Sequence, residues 1–238
     1  QGVAQRAHAG RQHEQLEVER MVHQRLGDRG GDLLAADVEE RLDAGADFGR
    51  YLDVDGDGIP FRTYPGTHPT RGGYFTRGTT KNRYAQYSEA GPDYVDNMQR
   101  LMRKFDTAKS LVPKPLLYPA EKPARFGAIF YGSTSPAMQE ALDALAERGI
   151  HVNALRIRGF PFADELSDFV ASHPWVFVIE QNRDAQLNTL MVTDGKINPA
   201  RLISLLHYDG TPITARFIVD QISQHAGAHR VVPLKKAS

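Results

Sequence analysis

The strongest constraint on the fold is a fourfold alternation of strand and helix patterns between residues 124 and 225. Short apolar runs are each followed by a segment with apolar side chains at helical spacing. This alternation is typical of a parallel, doubly wound α/β sheet with helices on both faces. We therefore expect one compact domain over 124–225, followed by a tail over 226–238. The predicted strands are 126–131, 151–157, 175–179 and 203–207.

Capping residues mark the helices between these strands. Ser135-Pro136 and Thr211-Pro212 each combine a capping hydroxyl with a proline suited to a first helical turn, so they predict helix starts. Gly149 stands where a left-handed C-terminal cap is expected. Pro174 is expected to end the helix that precedes the third strand.

Four prolines lie in the segment VPKPLLYPAEKP at 112–123. Proline lacks a backbone donor and fixes φ, so neither a helix nor a central strand can cross such a segment. We interpret 113–123 as a linker between two domains. Before it, helices are predicted over 33–42 and over about five turns from Pro92. The basic stretch 100–104 in the longer helix is interpreted as a solvated face.

Residues 1–27 are rich in Gln, His and Arg and carry few large apolar side chains. Little apolar burial is available there to offset the entropy of ordering, so we expect a poorly ordered or non-native segment. The sequence begins at Gln1 rather than Met. We therefore expect a fragment, a processed product or a gene with a lost start.

Composition excludes several classes of function. The 29 basic and 29 acidic residues balance, so no global field favours nucleic acid or an anionic membrane. No apolar run approaches the ~20 residues of a membrane helix. The chain contains no cysteine, which fits a cytoplasmic protein and excludes cysteine nucleophiles and thiolate-held clusters. HExxH and GxSxG motifs are also absent from the sequence.

The stretch LDVDGDGIP, which contains Asp53, Asp55 and Asp57, resembles the opening of a calcium loop. An EF-hand needs a bidentate Glu at loop position 12, but that position is Tyr64. Pro60 occupies position 8, and no flanking helix pair is evident. Asp and Gly also favour turns, which is the stronger interpretation, although three carboxylates can bind a divalent cation weakly.

Several segments in the same order resemble a known family. GRYLDVDGDGIPFRTYPGTHPTRGGYFTRGT (49–79) is similar to the alpha subunit of the 2-oxoacid:ferredoxin oxidoreductases, in particular the 2-oxoglutarate type. The resemblance covers about residues 28–224. The further segments are YAQYSE (84–89), NMQRLMRKF (97–105), YGST (131–134), IRGFPF (157–162), VIEQNRDAQL (178–187) and HYDGTPITARFI (207–218).

The resemblance implies a fold for each region. Residues 28–112 would be the C-terminal part of a thiamine-pyrimidine-binding domain, and 124–225 a domain similar to the C-terminal domain of transketolase. The family oxidatively decarboxylates 2-oxoacids to acyl-coenzyme A and passes electrons to ferredoxin. In the family a beta subunit holds thiamine diphosphate, magnesium and an iron–sulfur cluster. Gly56-Asp57-Gly58 lacks the downstream asparagines of a diphosphate motif, so we expect this chain to bind none of these alone.

Candidate site residues lie in both regions. In parallel sheets, ligands bind beyond the carboxyl ends of the strands, where polar residues follow three predicted strands. We expect them to form a rim or subunit interface, with helix capping as the alternative. The family usually has glycine at the position of Ala185. In the first region, either Arg62 faces the interface or it pairs with Asp55 or Asp57. The candidates are Arg62, Thr67, Ser133, Thr134, Glu180, Asn182, Asp184 and Asp209.

Three functional hypotheses follow. The chain is a subunit, or a fragment of one, of a 2-oxoacid:ferredoxin oxidoreductase that is silent without its beta subunit. Alternatively, it is a non-catalytic interaction domain of that family, or a calcium-binding module. The residues leave open which 2-oxoacid and which electron acceptor would be used.

Overall fold

The computed structural model describes the backbone of residues 32–64, 66–73, 78 and 80–229, and side chains from residue 38 to 227 within those ranges. The predicted disorder of residues 1–27 lies outside the described residues, as does most of the predicted tail. The chain divides into two compact units, residues 1–112 and 113–238, which we call the N-terminal and C-terminal units. No described helix is long and apolar enough to cross a membrane.

The C-terminal unit contains a five-stranded sheet in the order β1-β3-β2-β4-β5. Strands β2 to β5 are parallel to their neighbours, and all four predicted strands are confirmed to within one or two residues at each end. The strands are β1 (Leu116–Tyr118), β2 (Phe126–Tyr131), β3 (Val152–Ile157), β4 (Trp175–Glu180) and β5 (Leu202–Leu206).

Strand β1 was not predicted, and it makes the sheet mixed rather than parallel. It pairs antiparallel to β3, with Leu117 opposite Leu155. The segment 113–123, which we interpreted as a linker, therefore contributes an edge strand to the sheet of the C-terminal unit. Pro115 and Pro119 flank the three-residue strand, and proline is tolerated beside an edge strand because only one side must donate hydrogen bonds.

Helices cover both faces of this sheet, as expected for a doubly wound fold. Alternate residues of β2 point to opposite faces, so Ala128 and Phe130 join one apolar core while Ile129 joins the other. The helices are α3 (Ser135–Glu147), α4 (Glu165–Ala171), α5 (Gln186–Thr193) and α6 (Ala215–His229).

Two predicted helix starts need correction. Helix α6 begins at Ala215, not at Thr211-Pro212, because Thr214 Oγ1 accepts the N–H of Phe217 at 3.2 Å. Helix α3 does begin at Ser135, but after a 3-10 turn and without a side-chain cap. Gly149 ends α3 with φ of 73°, which confirms the left-handed cap.

The N-terminal unit contains two predicted helices joined by long loops. They are α1 (Asp32–Asp43) and α2 (Gly91–Leu111), and Pro92 lies in the first turn of α2 as expected. Val38 and Leu42 of α1 are buried. Few other apolar side chains of this unit are buried among the residues described, so polar contacts are important for its packing.

Candidate functional site

The acidic loop of the N-terminal unit brings its three carboxylates together. One ligand atom from each of Asp53, Asp55 and Asp57 lies within 4.8 Å of the others. Backbone groups of the same loop already bind two of them. Gly58 donates its N–H to Asp53 Oδ1 at 2.8 Å, and Ile59 donates to Asp57 Oδ1 at 2.7 Å. These are the side-chain-to-backbone bonds of an Asp-rich turn.

Side chains of helix α2 form hydrogen bonds to this loop. Arg103 Nε donates to Asp53 Oδ2 at 3.0 Å, and the same carboxylate oxygen forms an ion pair with Arg103 Nη2 at 3.0 Å. The hydroxyl of Thr107 donates to the carbonyl of Asp57 at 2.6 Å. Arg100 Nη1 donates to the carbonyl of Gly58 at 3.0 Å. Only 6% of Arg100 is exposed, so the prediction of a solvated basic face is wrong for this residue.

Gly58 allows the loop to approach α2 closely. Its φ is +81°, and a Cβ there would lie 2.3 Å from the backbone nitrogen of Lys104. Both the conformation and the space therefore require glycine. Gly56 has a similar φ of +84° but no atom within 4 Å of the corresponding Cβ position, so only its conformation is restricted.

The chemistry of the acidic loop is that of a structural turn. Burial raises the pKa of Asp57 above its usual value, opposed by the N–H of Ile59 and reinforced by Asp55 and Asp53. Both oxygens of Asp53 already have donors. The arrangement supports the turn interpretation over an EF-hand, which would need these oxygens as ligands together with a bidentate Glu.

Arg62 and Thr67 lie in the loop that follows. Arg62 is exposed and forms no ion pair with Asp55, Asp57 or any other described residue. Thr67 Oγ1 accepts the N–H of Tyr64 at 2.9 Å, and the Thr67 N–H donates back to the Tyr64 carbonyl at 3.0 Å. Thr67 therefore closes a local turn.

In the C-terminal unit, Gln181 connects three strand ends of the rim. Its Nε2 donates to Ser133 Oγ at 3.0 Å and to Thr134 Oγ1 at 3.2 Å, beyond β2. Its Oε1 accepts the N–H of Ile213, beyond β5, at 3.4 Å. Thr134 is buried and Ser133 is exposed. The side-chain amide of Gln181 therefore links Ser133 and Thr134, after β2, to the loop after β5.

Glu180 caps the N-terminus of α5 from the end of β4. It is fully buried, and its carboxylate accepts the N–H groups of Leu187 at 2.7 Å and Asn188 at 3.0 Å. Asn182 Nδ2 donates to Glu180 Oε2 at 2.8 Å, and Asn182 Oδ1 accepts the N–H of Gln186 at 3.2 Å. A carboxylate at this position satisfies otherwise unbonded donors and complements the helix dipole.

Asp184 and Asp209 occupy exposed positions on the rim. Asp184 pairs with its neighbour Arg183 at 2.7 Å. Asp209 Oδ1 accepts the N–H of Thr211 at 2.8 Å and its hydroxyl at 2.7 Å, and these bonds lower the pKa of Asp209. His207 is buried beneath the loop and its Nε2 donates to the Thr211 carbonyl at 3.0 Å.

The geometry of the rim favours a surface for protein–protein contact over a catalytic site. Activated nucleophiles need an adjacent base, but both hydroxyls after β2 bond the amide of Gln181 rather than a histidine or carboxylate. Large aromatic side chains are exposed at the same strand ends: Tyr131 at the end of β2, Phe160 after β3 and Tyr208 after β5. Exposed aromatic side chains next to satisfied polar groups are typical of an interface.

Two sequence signatures bear on the cofactors that the resemblance implies, namely thiolate ligands and a diphosphate motif. The chain contains no cysteine, so it offers no thiolate to an iron–sulfur cluster. Within the Gly56-Asp57-Gly58 triplet, Gly58 packs against α2 and Asp57 accepts the N–H of Ile59. Ligation of a cluster by thiolates is therefore excluded for this chain, and the triplet forms part of a structural turn.

Sequence reasoning missed Gln181 and His207. Gln181 lies between two predicted candidates, and its position directly after a buried strand was the available signal. His207 directly follows β5, and its place at the end of the predicted strand 203–207 was the available signal. Ala185 was noted as a departure from glycine. It adopts φ of 50° and ψ of 48° in the structure, which is the left-handed conformation that favours glycine.

Comparison with known proteins finds likeness only among solved structures. No protein-family model matches the chain, and no curated protein matches it. The structure of 2-oxoglutarate:ferredoxin oxidoreductase from Magnetococcus marinus, with 2-oxoglutarate, coenzyme A and succinyl-CoA bound, matches with a TM-score of 0.66 and 21% identity. The match covers 76% of this chain and 31% of that one.

Two further likenesses are weaker. The alpha chain of a probable 2-oxoacid ferredoxin oxidoreductase from Thermoplasma acidophilum is 25% identical over 48% of this chain and 97% of its own, with a TM-score of 0.33. A split-gene transketolase is 14% identical over 52% of this chain and 55% of its own, with a TM-score of 0.39. TM-scores this low carry no structural argument.

The Magnetococcus match establishes a shared fold. The C-terminal unit, residues 113–238, holds little more than half of the chain, so a match over 76% must extend into the N-terminal unit as well. The chain spans about a third of the length of that oxidoreductase chain. The fold likeness to a segment of that oxidoreductase chain therefore includes residues of both units.

Proposed function

We propose that this chain is a subunit of a thiamine-dependent 2-oxoacid:ferredoxin oxidoreductase and corresponds to the C-terminal portion of its alpha subunit. The observation that carries the proposal is the fold likeness over 76% of the chain, because it includes both units. Residues 28–112 correspond to the end of a thiamine-pyrimidine-binding domain. Residues 124–225 correspond to a domain similar to the transketolase C-terminal domain.

The proposed role of this chain is to organise the complex rather than to perform its reaction. Thiamine diphosphate, magnesium and the iron–sulfur cluster are assigned to a beta subunit, because this chain has no cysteine and no complete diphosphate motif. In the complex, a 2-oxoacid such as 2-oxoglutarate is decarboxylated, coenzyme A takes the acyl group and ferredoxin takes the electrons. These partners are soluble, and we propose a cytoplasmic location.

The carboxyl-end rim is the proposed contact with the beta subunit. Its polar groups hold the loops in place: Gln181 joins the ends of β2 and β5, and Glu180 fixes α5. Tyr131 is 39% exposed and Tyr208 is 63% exposed on this rigid base. Rigid, exposed tyrosines are favoured interface anchors because little side-chain entropy is lost on binding.

Affinity purification of the full chain from its native host tests the proposal. We expect a second protein to co-purify, with bound thiamine diphosphate and iron in the eluate. The eluate should reduce a viologen dye only when both 2-oxoglutarate, or another 2-oxoacid, and coenzyme A are present. These readouts identify the partner by its chemistry rather than by its presence alone.

Two charge-introducing variants, one on the rim and one away from it, test whether the rim contacts the beta subunit. Tyr208→Glu is expected to abolish co-purification, because it places a charge in the interface. Ala146→Glu adds the same charge to an exposed position near the end of α3, toward the amino ends of the strands, and should co-purify normally. Equal retention of both variants would contradict the rim assignment. An eluate free of thiamine diphosphate and iron would support a non-catalytic interaction domain instead, which the internally bonded rim also allows.

A further inference from the structure

Four Asp-Gly pairs occur in the sequence, at 55–56, 57–58, 194–195 and 209–210. At such a pair the backbone nitrogen of glycine can attack the side-chain carboxyl carbon of the aspartate, because glycine has no Cβ to shield that nitrogen. An N–Cγ bond forms, and the carboxylic hydroxyl leaves as water with the glycine N–H proton. The product is a succinimide. Water then opens this ring, either at Cγ, which restores aspartate, or at the main-chain carbonyl carbon, which leaves isoaspartate.

The surroundings of the Asp55-Gly56 pair leave this reaction open. Both residues are exposed, and Gly56 has φ of +84° with no atom within 4 Å of its Cβ position. Within the part of the chain that the structure describes, no acceptor bonds the N–H of Gly56. No described backbone N–H, alcohol or cationic group bonds the Asp55 carboxylate either. The attacking nitrogen and the carboxyl group are therefore not held apart by other contacts.

The geometry points to Asp55-Gly56 as the site at which isoaspartate forms spontaneously in the folded chain. This inference goes beyond the proposed function and does not depend on it. The reaction needs no oxidant, metal or cofactor, since the water released on ring closure is matched by the water taken up on ring opening. Its selectivity depends on how the fold holds the other three Asp-Gly pairs.

The neighbouring pair, Asp57-Gly58, is held by hydrogen bonds and by close packing. The N–H of Gly58 donates to Asp53 Oδ1 at 2.8 Å. Asp57 Oδ1 accepts the N–H of Ile59 at 2.7 Å. A Cβ on Gly58 would lie 2.3 Å from the backbone nitrogen of Lys104, so this glycine has no room to turn. Ring closure would break both hydrogen bonds, and we expect it to be about tenfold slower or more.

The pair at the end of α5, Asp194-Gly195, is held in a similar way. The N–H of Gly195 donates to the Leu190 carbonyl at 3.4 Å. A Cβ on Gly195 would lie 2.6 Å from the carbonyl oxygen of Met191. Asp194 Oδ2 accepts the hydroxyl of Thr193 at 3.0 Å. The glycine nitrogen therefore stays bonded to the helix, away from the carboxyl carbon.

The pair Asp209-Gly210 provides the closest comparison, because it is also exposed. Gly210 has φ of +87° and an open Cβ position, like Gly56. The carboxylate differs: Asp209 Oδ1 accepts the N–H and the hydroxyl of Thr211, and these bonds lower the pKa of Asp209. Loss of water from the carboxyl group requires its protonated form. We therefore expect ring closure at Asp209 to be several-fold slower than at Asp55.

Isoaspartate at position 55 would lengthen a segment that is bonded to α2 at both ends. Arg103 bonds the carboxylate of Asp53, and the hydroxyl of Thr107 bonds the carbonyl of Asp57. The β-linkage adds one methylene group to the backbone between these two contacts, which then no longer fit together. We expect the acidic loop of an aged chain to loosen from α2, while the C-terminal unit is unchanged.

Ageing of the purified full chain tests the site. The chain is kept near neutral pH at physiological temperature for several weeks and then treated with an isoaspartyl methyltransferase and labelled S-adenosylmethionine. Tryptic peptides 51–62, 184–196 and 202–216 contain all four pairs, and fragment masses locate the label within each peptide. Label at position 55 should exceed that at 57 and at 194 by about tenfold or more. It should exceed the label at 209 several-fold.

Three controls separate the fold from the sequence. In urea that unfolds both units, the four pairs should react at similar rates, because only the fold distinguishes them. Asp55→Glu should remove the label at 55, since the larger ring that glutamate would form closes far more slowly. Asp209→Glu makes the same change at the other exposed pair and should leave the label at 55 unchanged. Hydrogen exchange of the labelled fraction should be faster over α2 than in the unlabelled fraction.

Four results would overturn the inference. The first is equal label at 55 and 209 in the folded chain. The second is a preference for position 55 that persists in urea, which would mean that the sequence alone selects the site. The third is a folded chain without label after an incubation that labels the unfolded chain. The fourth is unchanged exchange over α2 in the labelled fraction, which would show that the loop tolerates the added methylene.

Discussion

The two units of this protein differ in the contacts that stabilise each of them internally. The C-terminal unit has two apolar cores, one on each face of its sheet, with Phe130 and Phe177 in one and Ile129 and Val178 in the other. The N-terminal unit instead fastens an acidic loop to α2 through Arg100, Arg103 and Thr107, with the apolar side of α2 exposed. Apolar cores tolerate many arrangements of similar volume, whereas a network of polar contacts depends on particular atoms.

The largest effect is expected in the core of the C-terminal unit. Phe177 is fully buried, with its ring 5.7 Å from that of Phe126. Phe177→Ala should lower the free energy of unfolding of this unit by about 3–5 kcal/mol, through lost burial and a residual cavity. Urea unfolding measures the loss. Leu117→Ala, at a position that is 59% exposed, serves as the control and should change stability by less than about 0.5 kcal/mol.

A single glycine tests the polar packing of the N-terminal unit. Gly58→Ala must adopt positive φ and also place a methyl group 2.3 Å from the Lys104 nitrogen. We expect a cost of about 3 kcal/mol and loss of hydrogen-exchange protection in α2. Gly56→Ala has the same conformational strain without the overlap, so its cost should be about 1 kcal/mol. An equal loss of stability in Gly58→Ala and Gly56→Ala would show that Gly58 is not in close contact with α2.

Glu180 tests whether the rim is structural. Glu180→Gln replaces one acceptor oxygen by an amide that faces the donors of Leu187, Asn188 or Asn182. The expected cost is about 2 kcal/mol, with loss of hydrogen-exchange protection at the first turn of α5. Asp184→Asn, on an exposed residue of the same rim, should cost less than about 0.5 kcal/mol. An unchanged stability of Glu180→Gln would leave the buried carboxylate without a structural role.

The smallest effect is a gain in stability. Ala185 has left-handed φ and ψ at the start of α5, where glycine has no Cβ to strain. Ala185→Gly should therefore raise the stability of the C-terminal unit by about 0.5–1 kcal/mol, reduced by the greater freedom of glycine in the unfolded chain. Thermal unfolding checks the sign, and a lower melting temperature would contradict the strain argument.

The same contrast explains what could be predicted from the sequence. Strands and helices of the C-terminal unit follow from apolar periodicity, and β2 is predicted residue for residue. Strand β1 was missed because it is short, lies at an edge and sits between prolines, where pattern rules give little signal. The start of α6 was misplaced because Thr211-Pro212 and Thr214 both fit a helix start, and only tertiary contacts select Thr214.

The candidate site was predicted in part for the same reason. Residues after strand ends could be named from topology, and Ser133 and Thr134 are indeed joined to the ends of β4 and β5 by Gln181. The partner of each polar group depends on three-dimensional geometry. Arg100 shows this most clearly, since a basic residue among basic neighbours on a helix is usually solvated, whereas here it is buried against the carbonyl of Gly58.

Assay of the purified chain alone tests most directly the central claim, which is that the reaction centre of the proposed enzyme lies in another subunit. The full chain is mixed with 2-oxoglutarate, coenzyme A, thiamine diphosphate, magnesium and a viologen acceptor, and dye reduction is followed. The absence of cysteine and of a complete diphosphate motif predicts no reduction above a control without the chain. Dye reduction that increases in proportion to the concentration of this chain, with no second protein present, would contradict the account.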